Sequence, residues 1–318
     1  MTLRTSRQST PRLLLSRHRS KVEHLLVATV MLVIATILFV RESHVPVPVV
    51  SSVPAAPFVS SGELRVWFFD VGQGDSIFIE TPDHHQILVD GGPSQEVLSK
   101  LGQVMQPWDR SIDAIVLTHP HKDHVAGLVS VLERYDVATV YDGGALSHTG
   151  EMDAFEADTV AEHAPTKHLV AGDHFAYGDV TLEVLAPTKP IDGTYPKDPN
   201  EASVVMLVTY HDTTLLLTGD APADVEHDIL PEVGDVDVLK VGHHGSRTSS
   251  STEFLDAVTP EFAIISDGID NSYGHPHPAT LQRLDDRHIR VERTDLDGDI
   301  LLTSTGGEPT VEPSPLPF

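Results

Sequence analysis

No cysteine occurs in these 318 residues, so the chain can form no disulfide and offers no thiolate to a metal. Any metal site must be built from histidine and carboxylate. Basic residues are scarce: 21 Lys and Arg stand against 47 Asp and Glu, for a formal charge of −26. The scarcity is uneven. Residues 1–41 carry seven basic groups against Glu23 alone, a net +6 that leaves −32 on the remainder. Such an excess resembles the surfaces of proteins from salt-loving organisms. It repels polyanions at ~0.1 M salt, where the Debye length is about 10 Å, and far less at molar salt, where the length is about 3 Å. Acidity therefore does not exclude a nucleic-acid substrate. No repeat at a solenoid period is visible, and neither is a Ser-His-Asp arrangement.

What is present begins with one apolar run. From His24 to Val40, HLLVATVMLVIATILFV contains no Asp, Glu, Lys or Arg. Its length sits at the lower edge of the roughly 17–25 residues that span a bilayer and above the roughly 7–15 of a signal-peptide core. Residues 1–23 are expected to form a basic cytoplasmic N-terminus and 24–40 a transmembrane anchor, with the rest of the chain outside the cell membrane. Cleavage after Ala56 would release the domain instead, but Pro57 follows directly and argues against it. Residues 41–62 read as a Pro-rich tether, 63–304 as the globular domain, and 305–318, with its prolines, as a disordered tail.

Within 63–304, short apolar stretches alternate with amphipathic ones. Strand candidates include Leu64–Phe69, Gln86–Val89, Ala114–Leu117, Ser203–Tyr210, Thr213–Leu217 and Val236–Val241; helix candidates include Val125–Tyr135, Ala223–Ile229 and Ser251–Val258. Strands that follow one another directly imply antiparallel hairpins. The pattern predicts an α/β protein of α+β type, with mixed sheets and helices outside.

One stretch carries most of the chemistry. A hydrophobic strand ending at Leu117 runs into Thr118-His119-Pro120-His121-Lys122-Asp123-His124, three imidazoles and a carboxylate within six residues. Each ring needs a polar partner and adds little to a core. Divalent metal explains the crowding, because neutral imidazole and carboxylate are the ligands left to a cysteine-free zinc or manganese site.

Here the sequence resembles the metallo-β-lactamase superfamily, whose signature is His-x-His-x-Asp-His. Within it, the resemblance extends to the extracellular hydrolase domain of ComEC-like competence proteins, which act in DNA uptake. The matching segments are FFDVGQGDSIFIETP (68–82), ILVDGG (87–92), LTHPHKDHVAGL (117–128), LLLTGDA (215–221), LKVGHHGSRTSS (239–250) and NSYGHPHP (271–278). The resemblance implies a four-layer αββα sandwich with divalent metal at one edge. By it, His119 and His121 bind a first ion, Asp123, His124 and His243 bind a second, and Asp220 bridges the two. His244 is assigned to the outer shell, although the reverse order of this adjacent pair satisfies the same spacing. Two zinc or manganese ions are implied, or one, because Asn200 and Ser203 stand where many superfamily members carry a further histidine ligand.

The same resemblance suggests that Asp90 orients a ligand imidazole, although an Asx turn before two glycines fits the local sequence equally well. Gln73 and Asp75, in a glycine-rich turn, are candidate site contacts. Ser246 belongs to a phosphate-suited loop that plain helix capping also explains. Tyr273 and His275 lie in a loop expected to touch substrate, with His275 as proton donor and Asp123 orienting the nucleophile. The implied activity is that of an extracellular metal-dependent phosphodiesterase or nuclease, acting on DNA through a metal-bound hydroxide. Alternatives are a hydrolase of small esters, lactones, lactams or choline-type phosphodiesters, and a non-catalytic DNA-uptake or surface-binding scaffold. Only Lys122, Lys240, Arg247 and Arg283 stand near the motifs as candidates for a basic groove.

Overall fold

The computed structural model describes residues 62–314. The expected cytoplasmic segment, the anchor and nearly all of the tether lie outside the described residues. Among the described residues, no helix is long and apolar enough to cross a membrane.

Alternation of apolar side chains builds two sheets, each with two buried faces. Along Leu64–Phe68, Val66 and Phe68 join the central core while Trp67 faces a separate outer core. Thr213–Leu217 behaves likewise, with Leu215 and Leu217 pointing inward and Leu216 outward. This is the period-2 geometry of a strand. The first sheet has eight strands, in spatial order Thr310–Pro313, Ile300–Ser304, Leu64–Phe68, Ile77–Glu80, Gln86–Val89, Ala114–Leu117, Val140–Asp142 and Thr166–His168. The second has seven, in the order Arg290–Arg293, Phe262–Ile265, Val238–Lys240, Thr213–Leu217, Val205–Tyr210, Val180–Ala186 and His174–Tyr177. The central core fills the space between them. Helices Glu96–Val104, Lys122–Leu132 and Gly150–Glu162 cover the outer face of the first sheet through Leu101, Leu128 and Phe155. Helices Ala223–Ile229, Thr252–Val258 and Pro278–Asp285 cover the second through Ile229, Phe254 and Leu284. The result is the expected αββα sandwich.

In each sheet one half is antiparallel and the other parallel. Gln86–Val89, Ala114–Leu117 and Val140–Asp142 run parallel in the first. Thr213–Leu217, Val238–Lys240 and Phe262–Ile265 do so in the second. Segments that matter for function leave the carboxyl ends of these parallel strands, the usual position of a ligand site in open α/β sheets.

The expected disordered tail is corrected in part. Thr310–Pro313 pairs antiparallel with Ile300–Ser304, Val311 joins the central core, and the Thr303 and Thr310 hydroxyls lie 2.7 Å apart. The prolines suggested a tail, but this is an edge strand, and an edge strand pairs on one side only and tolerates proline. Helix Gly150–Glu162 was missed because its acidic sequence shows little apolar periodicity.

Close glycine contacts seat the helix that carries Asp123 and His124. Gly91 donates its N–H to the His124 carbonyl at 2.8 Å, and Gly127 donates to the Gly92 carbonyl at 3.0 Å. A Cβ on Gly127 would lie 1.8 Å from the Gly91 carbonyl oxygen. Backbone on both sides must then separate, so Gly127→Ala is expected to destabilise the protein by about 1–3 kcal/mol, as overpacking does. Urea unfolding in the presence of a chelator measures this, and a midpoint equal to wild type would show that the helix has room to shift.

Candidate metal centre

Asp220, at the turn after Thr213–Leu217, stands between two groups of side chains. Its Oδ2 lies 3.8 Å from His119 Nε2, and its Oδ1 lies 3.5 Å from both His124 Nε2 and His244 Nε2. His119, His121 and Asp220 bring their ligand atoms within 4.8 Å of one another, as do Asp123, His124 and His244. His119 Nε2 and His121 Nδ1 are 3.1 Å apart. Asp123 Oδ2 is 3.5 Å from His244 Nε2.

Hydrogen bonds on the far side of each ring set which nitrogen faces inward. Asp90 is fully buried; its Oδ1 accepts the Thr118 N–H at 2.8 Å, and its Oδ2 accepts the Thr118 hydroxyl at 2.7 Å. With its proton committed to Asp90, the Thr118 oxygen accepts from His119 Nδ1 at 3.1 Å. His124 Nδ1 donates to Asp90 Oδ2 at 2.7 Å, and His244 Nδ1 donates to the Ser266 carbonyl at 2.9 Å. Three imidazoles thus carry their protons on Nδ1 and turn Nε2 toward Asp220, the ordering that outer partners impose on metal-binding histidines.

A divalent ion fits this donor set. His124 Nε2, His244 Nε2 and Asp220 Oδ1 are buried atoms without a hydrogen-bond partner. Leaving such atoms unsatisfied costs roughly 1–3 kcal/mol each, a cost that coordination of a divalent ion would remove. Charge agrees. Burial opposes ionisation of Asp220, yet His244 and His124 hold its pKa well below the usual carboxylate range. Burial likewise disfavours charge on His124 and His244, but Asp220, with Asp90 for His124 and Asp123 for His244, raises both well above an ordinary histidine. Protons on these rings balance the carboxylates where a cation otherwise would, so metal binding must release protons. His119 behaves oppositely: burial, reinforced by His124, pushes its pKa well down and keeps the ring neutral.

Residues 69–266 match the metallo-beta-lactamase superfamily. The chain belongs to the metallo-β-lactamase superfamily. Its members are generally metal-dependent hydrolases. This metallo-β-lactamase chain is 32% identical over 260 residues to ComE operon protein 3 of Bacillus subtilis (strain 168), covering 76% of this chain and 33% of that protein. It is 31% identical over 243 residues to competence protein ComA of Neisseria gonorrhoeae, covering 76% and 32%. It is 29% identical over 235 residues to Recombination protein 2 of Haemophilus influenzae, covering 73% and 28%. The chain spans about a third of the length of these curated relatives. Among solved structures, the metallo-beta-lactamase fold protein YhfI of Bacillus subtilis aligns with a TM-score of 0.50 at 15% identity, over 72% of this chain and 95% of that one, a likeness of fold alone.

The metallo-β-lactamase site departs from the sequence expectation at the histidine pair. His244, not His243, joins Asp123 and His124. Strand alternation does not govern the pair, because both residues are left-handed, with φ of 51° and 53°, in a tight turn after Val238–Lys240. His243 lines the cleft instead; its Nε2 is 3.8 Å from Asp220 Oδ2 and its Nδ1 is 3.4 Å from Asn200 Nδ2. Asp90 is resolved in favour of orienting imidazoles.

Several outer residues are also reassigned. Asp75 does not face the cleft: it is 1% exposed and ion-paired with Lys240, which is itself fully buried. The Ser203 hydroxyl accepts the Asp220 N–H at 3.2 Å, so it positions the bridging residue. Ser246 bonds Thr248 within its own turn. Arg283 donates to the Ser249 and Ser250 carbonyls, and burial lowers its pKa. Of the four candidate groove cations, Lys240 and Arg283 are therefore structural. Lys122 is exposed and pairs with Glu151 at 3.0 Å.

A cleft of about 370 Å³ opens over the groups, lined by Gln73, His121, Asp123, His243, Tyr273 and His275 among others. Gln73 Oε1 and His275 Nδ1 are buried there without partners. Burial, with His243 and His244 nearby, lowers His275 to about 4. Asn271, not singled out in the sequence, holds this loop: its Oδ1 accepts the His275 N–H at 3.1 Å and its Nδ2 donates to the His275 carbonyl at 2.6 Å. Thr118 was missed as well. Its position beside a histidine was legible, but its bond to an aspartate 28 residues earlier was not.

Proposed function

We propose that this domain is a metal-dependent phosphodiesterase that cleaves nucleic acid, with DNA as substrate. The observation that carries the reading is the lining of the cleft: the ligand carboxylates Asp123 and Asp220 with four imidazoles, and around them Gln73, Lys122, Thr149 and the exposed Tyr273. With divalent ions bound, such a surface suits the oxygens of a phosphodiester, and Tyr273 offers an aromatic face to a base. The relatives, a competence protein and a recombination protein, support a DNA substrate.

His119, His121 and Asp220 would hold one ion, and Asp123, His124, His244 and Asp220 the other. Bound ions supply Lewis acidity and lower the pKa of water toward neutrality. The chain's own residues do the positioning. Asp90 and Ser266 keep Nε2 of His124 and His244 turned inward, and Ser203 fixes the backbone of Asp220. His275 and Gln73 face the cleft, where they can meet the substrate's oxygens.

The full chain, supplied with Mn²⁺ or Zn²⁺ at low and at molar salt, is expected to cut single- or double-stranded DNA and an aryl phosphodiester. Turnover of a β-lactam or thioester with both phosphodiesters untouched would replace this reading with that of a small-ester hydrolase.

A further inference from the structure

Beneath the second ligand group lies a pair of charges that the metal chemistry has not used. Lys240 is fully buried and makes an ion pair with Asp75 Oδ2, and its Nζ also donates to the Gly219 carbonyl at 3.3 Å, next to the bridging Asp220. Asp75 in turn touches the second group at two places. Its Oδ1 is 3.4 Å from His244 Nδ1, and its N–H donates to the Asp123 carbonyl at 3.3 Å. A carbonyl bond ties the same residue to the glycine turn, since Gly92 donates to the Asp75 carbonyl at 2.7 Å.

The two inward histidines of the second group are backed alike. His124 has Asp90 behind it, and His244 has Asp75 behind it beside the Ser266 carbonyl. Asp75, Asp90 and His124 bring ligand atoms within 4.8 Å of one another, so two buried carboxylates share one small space. Like charges at that separation repel strongly away from water. Asp90 is satisfied by hydrogen bonds from Thr118 and His124. Asp75 has Lys240.

We propose that Lys240 is a fixed internal cation of the metal centre, and that the Lys240–Asp75 pair is a positioning device for the second ion. It lets a second carboxylate stand behind the ligand histidines without repelling the first, and it ties His244 and Asp123 to the turn that carries Asp220. Among the described residues, no hydrogen bond or ion pair joins His119 or His121 to the pair, whereas His244 and Asp123 meet Asp75 directly. The effect of the pair is therefore larger on the second ion than on the first, which it reaches only through Asp220 and Asp90. The proposal rests on the two ligand groups and not on the identity of the substrate.

Metal titration of the full chain tests this with Zn²⁺ alone as probe. Two backgrounds separate the ions: His119→Ala leaves the second group whole, and His244→Ala leaves the first. Adding Lys240→Met to the His119→Ala background is expected to weaken Zn²⁺ binding by about 10–100-fold, the range for loss of an outer partner of a metal ligand. Adding it to the His244→Ala background should change binding by less than about threefold, because neither His119 nor His121 has a direct hydrogen bond or ion pair to Lys240 or Asp75. Equal weakening in both backgrounds, or none in either, would reduce the pair to an ordinary structural tie and overturn the proposal. Lys240→Met leaves Asp75 unpaired and can prevent folding, which circular dichroism reports. In that case Asp75→Asn with Lys240→Met replaces the pair by neutral groups, and the same comparison is made. Full Zn²⁺ affinity of this double variant in the His119→Ala background would likewise overturn it. No substrate enters any arm, so failure here is distinct from failure of the phosphodiesterase reading.

Discussion

Asp220→Ala is expected to lose both ions together and to reduce turnover by about 10³-fold or more. One carboxylate faces both groups, Oδ2 toward His119 and Oδ1 toward His124 and His244. No other carboxylate among the described residues joins the two groups. Metal ions contribute several kcal/mol of charge stabilisation, and each ~1.4 kcal/mol is tenfold in rate. The fold should survive, because Asp220 belongs to none of the apolar cores of the sandwich and His124 and His244 can shed the protons that its charge holds on them. Metal content by mass spectrometry, circular dichroism and turnover on an aryl phosphodiester decide the matter. A folded variant that keeps two ions per chain and wild-type turnover would remove Asp220 from the centre.

The same residue sets a pH dependence in the metal-free protein. The folded pKa of Asp220 is depressed below its ordinary 3.8. Its contribution to stability is therefore present above about pH 4 and lost as pH falls further. Asp220→Ala should flatten that acid limb.

His275→Ala is expected to cost about 10–150-fold, and by a similar factor on a nucleotide diester and on an aryl diester with a good leaving group. The sequence casts His275 as a proton donor, which would spare the activated substrate. Burial and the neighbouring His243 and His244 change that expectation, because a ring held at about 4 is only about one part in 10³ protonated at pH 7, far from the pKa that suits a general acid. A neutral ring still donates a hydrogen bond, and Nδ1 has no partner inside the protein. Hydrogen bonds to charged groups contribute about 1.5–3 kcal/mol, which sets the size of the loss whatever the leaving group. The factor should also stay constant from pH 6 to 8, since the ring is neutral throughout. A loss confined to the nucleotide diester would restore the proton-donor role.

Much of the centre was legible because it is local. The seven residues after Leu117 supply three histidines and an aspartate, and no core packing accounts for them. The strands Gln86–Val89, Ala114–Leu117 and Thr213–Leu217 lie where their apolar runs predict. The choice between His243 and His244 was not legible, because it depends on two left-handed residues in one turn. Thr310–Pro313 was misread because its partner, Ile300–Ser304, had to be in place before an edge strand could be recognised.

The sequence by itself determined the donor types and all but one of the donors, the superfamily and the alternation that builds two sheets, since these depend on residue type and near-neighbour spacing. Only the tertiary structure decided how charges separated along the chain are paired. Lys240, read as one of few cations free for a polyanion, is buried against Asp75, 165 residues away. Asp90, equally readable as a turn residue, accepts from Thr118 and His124 and so aims two imidazoles at Asp220. A charged side chain has the same chemistry on a surface as in a core. What differs is the dielectric around it and the partner within reach, and both are properties of packing.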